Sequence, residues 1–213
     1  MLEVGMNRRT QYIYFFTGIF LLALGAALST KAGIGTTPMA VLPVVGSMIT
    51  DFTVGQLSAA MNLSFVLFQW LILRSRFTRS MLIQIPLSFI FGFFIDFWLS
   101  LLFWLNPSNY LFQWLLCIVS IIVGSFGIYL EIGAACWTLS GDGLVHIISK
   151  EYGKDFGKVK VAFDIILVSL AVVLSLWNFG NLQGVREGTL AAAVFFGICV
   201  NVYKRKFCFF GDF

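Results

Sequence analysis

Charge is what this sequence has least of. Asp, Glu, Lys and Arg make up 11% of its 213 residues, where a soluble domain carries about 25%. So little charge cannot cover a water-facing surface. With 59% hydrophobic residues and a mean hydropathy of +0.92, the chain has lipid as its solvent. Histidine is nearly missing: His146 stands alone, which excludes a His-rich metal centre. No GxSxG elbow, P-loop or HExxH motif occurs, so neither an enzyme nor a metal or cofactor is expected. The four cysteines, Cys117, Cys136, Cys199 and Cys208, show no CxxC or Cys/His spacing, which speaks against a zinc site or a disulfide. The net charge of +4 is spread over short segments between apolar runs. Nucleic acid is therefore not an expected partner, whereas the lipid bilayer is.

What is present is a series of apolar stretches. Six read as membrane spans, over roughly residues 12–29, 54–73, 81–104, 111–130, 156–177 and 188–203. Arg8 and Arg9 ahead of the first run resemble a signal peptide, but that run has an internal counterpart and is read as a span. With six crossings, Arg8/Arg9, Arg74/Arg76/Arg79, Lys150/Lys154/Lys158 and Lys204/Arg205/Lys206 all fall on one side. The positive-inside rule then puts both termini in the cytoplasm of a bacterial cell. Trp70, Trp98, Trp104, Trp114 and Trp177 lie towards span ends, as an aromatic belt does.

Two segments fit neither span nor simple loop: "KAGIGTTPMAVLPVVGSMITD" after the first span and "EIGAACWTLSGDGLVHIISK" after the fourth. Each opens on glycines and continues into an apolar stretch too short to cross. They read as short broken or re-entrant helices, over about 37–50 and 140–150, tolerated at membrane depth where they are buried in protein or line a cavity. Thr37 before Pro38 suits a helix N-cap with Pro in the first turn, and Ser140 or Asp142 suits the cap of the second.

The halves also match. "VGQLSAAMN" (Val54–Asn62) answers "FGKVKVAFD" (Phe156–Asp164), and "FGFFID" (Phe91–Asp96) answers "FGICVN" (Phe196–Asn201). Apolar segments alone would not align Gly with Gly and Asn with Asp at both sites. Residues 1–105 and 106–213 are thus read as two repeats of three crossings, and an odd number inverts the second. The expected fold is an all-α membrane protein of about six spans in two inverted three-helix repeats.

Such architectures hold substrates near the midplane, where broken helices meet. Asn62, Asp96, Asp164 and Asn201 are polar groups inside spans, where burial is costly and partners are needed. They read either as a polar midplane site, with Asp96 or Asp164 accepting a proton or cation, or as interhelical hydrogen-bonding groups. Gly33, Gly35, Thr36 and Thr37, with Gly141, Asp142 and Gly143, form the two helix starts. Two helix N-termini aimed at the midplane would favour an anionic group; otherwise the glycines only permit tight turns and close contact. Lys31, at the end of span one, reads as snorkelling to the interface; Glu131, at the end of span four, reads as a gate residue or simply an interfacial one. Asp142 and His146 share a helix face, yet the other half has no matching pair, so His146 reads as packing or gating. Asp96 and Asp164 carry no recognisable protease motif.

These segments resemble the bacterial YczE/YitT-like family of small integral membrane proteins. The resemblance rests on "KAGIGTTPMAVL" (Lys31–Leu42), "TVG" (Thr53–Gly55), Asn62, "SGDGLVHIISKEYG" (Ser140–Gly153) and "FGKV" (Phe156–Val159). Met39-Ala40 stands where the YczE-like branch commonly has Trp-Asp. The resemblance implies a multi-pass plasma-membrane protein suspected of transport, and supplies neither substrate nor catalytic residues. Two functions are carried forward: a secondary transporter or permease for a small solute, and a non-transporting scaffold or accessory subunit of a membrane complex, alone or as a homo-oligomer.

Overall fold

The structure is a computed structural model that describes residues 7–207; Cys208 lies outside the described residues. The chain there is helical throughout, without a strand among the described residues. The order is α1 (Arg8–Ala32), α2 (Pro38–Ser47), α3 (Val54–Leu73), α4 (Gln84–Leu101), α5 (Tyr110–Gly133), α6 (Ser140–Glu151), α7 (Phe156–Phe179) and α8 (Glu187–Lys206). Two 3-10 turns, Arg74–Arg76 and Arg79–Ile83, join α3 to α4. The third expected span thus begins as a 3-10 turn and ends at Leu101.

Local chemistry sets the helix limits. Asn7, Asn109 and Asp155 cap α1, α5 and α7 with their side chains, satisfying amides that have no intrahelical partner. Thr53 and Gln56 form a reciprocal capping box at α3. Gly33 and Gly180 end α1 and α7 in the left-handed conformation, with φ of 74° and 67°.

Five helical segments are long and apolar enough to cross a membrane: Arg8–Ala32, Val54–Arg76, Arg79–Leu101, Tyr110–Gly133 and Phe156–Phe179. Helix α8 has the length, but Glu187 and Lys204–Lys206 dilute its apolar run. Large apolar side chains point outward, among them Phe68, Phe93, Leu111, Val173 and Leu190. That is the surface lipid requires and water does not. The protein is an all-helical, membrane-embedded chain.

Helices α1 and α5 form the centre. A Cβ at Gly25 would lie 2.7 Å from Gly124 Cα, and one at Gly127 would lie 2.6 Å from Leu22 N. Only glycine permits this approach. Residues 18 and 25 of α1 face residues 127 and 124 of α5, so the helices run antiparallel. Helix α4 packs on α1 and α8 on α5; α2 packs on α3 and α7, and α6 likewise on α3 and α7. Trp98 Nε1 donates to Phe20 O at 3.1 Å, tying α4 to α1. Helices α3 and α4 pack tightly along each other, whereas α7 and α8 barely touch.

Candidate functional site

The starts of the two short helices meet inside the bundle. Helix α2 begins at Thr37 in extended backbone, followed by Pro38, as the sequence predicts. Helix α6 begins differently. Its N-cap is Leu139, and Ser140 is its first residue, so neither Ser140 nor Asp142 caps it. The Leu139 N–H donates instead to Glu131 Oε1 at 2.9 Å. The cap comes from the end of the preceding span because the intervening loop folds back onto it. The Met39 side chain lies over Gly141, where any Cβ would overlap its methyl group, with Phe65 just beyond.

Buried polar side chains surround the start of α6. Ser140 Oγ donates to Asn62 Oδ1 at 2.7 Å, and Asn62 Nδ2 donates to Ser58 O at 2.9 Å. Gln69 Nε2 donates to Gln84 Oε1 (2.8 Å) and to Ser140 O (2.9 Å). Gly143 leaves room for both glutamines: a Cβ there would lie 3.2 Å from each Nε2. Among the described residues, two acceptors here have no donor, Gln69 Oε1 and Glu131 Oε2. Buried acceptors are rarely left so.

A charged cluster lies alongside. Lys160 Nζ on α7 is 3.4 Å from Asp142 Oδ1 and 3.1 Å from Asp164 Oδ1. All three side chains are mostly covered, which suits ions at membrane depth that can only persist with partners. The nearby Cys136 thiol is pushed up from its ordinary range, mainly by burial. It is therefore a poor nucleophile.

The residues singled out in the sequence fall into three places. Asn62, Gly141, Asp142, Gly143 and Asp164 gather at the start of α6. Gly33, Gly35 and Thr36 line a second feature, a cavity of about 440 Å³ shared with Thr30 and Arg186, beside Thr37 at the start of α2. Gly33 and Gly35 take φ of 74° and 104° there, Thr36 Oγ1 shares a 2.8 Å hydrogen bond with Ser29 Oγ, and Arg186 Nη1 donates to Gly33 O at 3.2 Å. Asp96 and Asn201 stand apart. Asp96 accepts from Thr53 Oγ1 (2.6 Å) and from the Gly55 N–H (2.8 Å), so it closes the start of α3; Asn201 is exposed near the end of α8. His146 is exposed, while Asp142 is engaged by Lys160, so the two do not work as a pair.

Three residues escaped the sequence reading. Glu131 is not interfacial: it is 0% exposed, and Gly18 of α1, in the middle of its helix, packs against its backbone. The acid at the start of α6 is thus the protein's own. Lys160 could have been found from its i,i+4 spacing to Asp164. Gln69 offered only its polarity within an apolar run.

The chain shares 28% identity over 197 residues with the uncharacterized protein YyaS of Bacillus subtilis (strain 168), covering 91% of this chain and 92% of that one. No solved structure matches it. The family described as "Family of unknown function (DUF6198)" matches residues 9–205, and the chain belongs to that family.

Proposed function

We propose that the chain is a secondary transporter, a permease for a small solute, set in the plasma membrane of a bacterium with both termini cytoplasmic and α8 as the sixth crossing. The observation that carries this reading is the meeting of two broken-helix starts at Met39 and Gly141, ringed by buried amides and the Asp142–Lys160–Asp164 cluster. Inverted-repeat transporters hold substrate at such a place. Three kinds of helix contact support inverted repeats of residues 1–105 and 106–213, because they come in exchanged pairs, although α3 on α4 has no counterpart in α7 on α8. Packing of α1 on α4 answers α5 on α8, α2 on α7 answers α6 on α3, and α2 on α3 answers α6 on α7. The motifs shared with YczE/YitT-like proteins point the same way.

The solute path follows. The Thr36–Arg186 cavity opens towards the α7–α8 loop, the extracytoplasmic end in this orientation. At the basic end, Arg76 and Glu151 form a two-bond ion pair (2.9 and 2.7 Å) that joins α6 to the turn after α3. On this reading the cavity is the outward approach and the Arg76–Glu151 pair closes the inward one, while the site between them, with Ser140 almost fully buried, is closed off.

Cysteine accessibility tests the reading. In a protein whose native cysteines are replaced by serine, Thr36→Cys is expected to react with a membrane-impermeant thiol reagent from outside, and Ser140→Cys from the cytoplasmic face. Both residues are almost fully buried in this state, so labelling reports the exchange of states. Protection of both sites from both faces would overturn transport and favour the packed scaffold.

A further inference from the structure

Among the described residues, Glu131 is the most deeply buried acid and the one acid whose bonding is incomplete. Its Oε1 holds the Leu139 N–H; its Oε2 has no partner. The groups around it are fixed by the fold. Asp142 on α6 and Lys160 on α7 act on it electrostatically, Cys136 lies in the adjoining loop, and Asp164 sits behind Lys160. Gly18 of α1 packs against its backbone, and α3 and α4 contribute the neutral amides of Gln69 and Gln84. The helix start and Lys160 favour a negative charge on Glu131, while Asp142 and burial oppose it.

The missing partner of an acceptor is a donor or a cation. Hard metal cations gather several oxygen ligands, and among the described residues no three His, Cys, Asp or Glu side chains converge. Glu131 does not line the Thr36–Arg186 cavity, the space where a hydrated ion would fit. A proton needs no room.

We propose that Glu131 is a proton-binding site in the membrane interior, the group through which a proton gradient drives the solute. The coupling role rests on the transport reading. On protonation, Oε2 gains the hydrogen and becomes a donor, no other bond is broken, and one negative charge beside the start of α6 is neutralised. That loss loosens the hold of the carboxylate on Leu139, and with it the position of α6 against α5.

Infrared difference spectroscopy on the reconstituted protein, with the proton alone as ligand, tests this. A carbonyl band of protonated carboxylic acid is expected to grow as the pH falls, to be lost in Glu131→Gln, and to persist in Asp96→Asn. Full retention of the wild-type bands in Glu131→Gln would overturn the proposal, as would a band that follows added NaCl at constant pH. Glu131→Asp, which keeps a carboxyl group, serves if the glutamine variant does not fold. Its titrating band must shift in frequency, and an unshifted band would overturn the assignment. No solute enters these measurements. A titrating Glu131 in a protein with Thr36→Cys and Ser140→Cys both protected would keep the proton site and overturn transport. Labelling from both faces with a silent Glu131 would overturn the proton site alone.

Discussion

At the start of α3, Gly55 and Gly92 bring two helix backbones together, and Asp96 reaches across from α4 to bind Thr53 and the Gly55 amide. At the start of α7, Gly157, Gly197 and Asn201 hold the matching places in the repeat pattern, and the corner is open. A Cβ at Gly157 would meet only the Asp155 carboxylate (3.2 Å), and one at Gly197 would meet nothing within 4 Å. The reason is in the caps. Asp155 caps its own helix by accepting from the Lys158 N–H, so α7 does not depend on α8. Helix α3 has its capping box and a second, interhelical cap besides. One hairpin is closed by chemistry that spans two helices; the other has no such link at its corner.

Gly55→Ala and Gly197→Ala probe the difference most strongly. At Gly55 the added Cβ would fall 2.5 Å from Asp96 Cγ and against Gly92 O. Overpacking against backbone costs about 1–3 kcal/mol, and the upper end is expected because no flexible side chain can yield. At Gly197 the methyl meets open space, and alanine gains up to about 1 kcal/mol of helix propensity. Thermal unfolding in detergent should show opposite signs. Equal losses would mean that α8 packs on α7 as α4 does on α3.

The two halves also differ at the Asn62/Asp164 position. Asn62 is neutral and bonded to Ser140; Asp164 is charged and needs Lys160. Lys160→Met leaves Asp142 and Asp164 without a cation. Breaking a buried pair costs about 3–5 kcal/mol, and partial exposure of these side chains brings the expected loss to about 2 kcal/mol. Adding Asp164→Asn makes the second half neutral like the first and should recover part of that loss. A double variant no more stable than Lys160→Met would break the parallel.

Asp96→Ala comes next. It removes one bond to Thr53 and one to the Gly55 amide, worth about 1–2 kcal/mol as a lost cap, and it should open the first corner. Thr53 and Gln56 still cap α3, so the helix survives.

Five of the six expected spans and both short helices were legible because apolar run length and Gly/Pro punctuation are local signals. Pro38 takes the first turn as its type predicts for the same reason, while Thr37 holds the cap position without a side-chain bond to the helix. The start of α6 was not legible. Leu139 has no capping side chain, and the acceptor lies eight residues back on another helix. Asp96 misled in the same way: a lone acid inside a span reads as a site, and only the approach of Gly55 to Gly92 turns it into a cap. What chain neighbours decide could be read; what depends on which helices touch could not.

The finest probe is Asn201→Asp, which gives the open corner the acid that closes the other one. Were α8 to approach α7 as α4 approaches α3, this carboxylate would meet the start of α7 and add a charged cap. In the structure Asn201 is exposed, α7 and α8 barely touch, and Asp155 already occupies the start of α7. The new acid would gain only the field of the nearby basic cluster Lys204–Lys206, within about 0.5 kcal/mol for an exposed substitution. A gain well above that, lost again when Asp155 supplies a stronger hold or when Gly197→Leu props the helices apart, would mean that α8 visits α7. The open corner would then be one position of a moving hairpin rather than its only one.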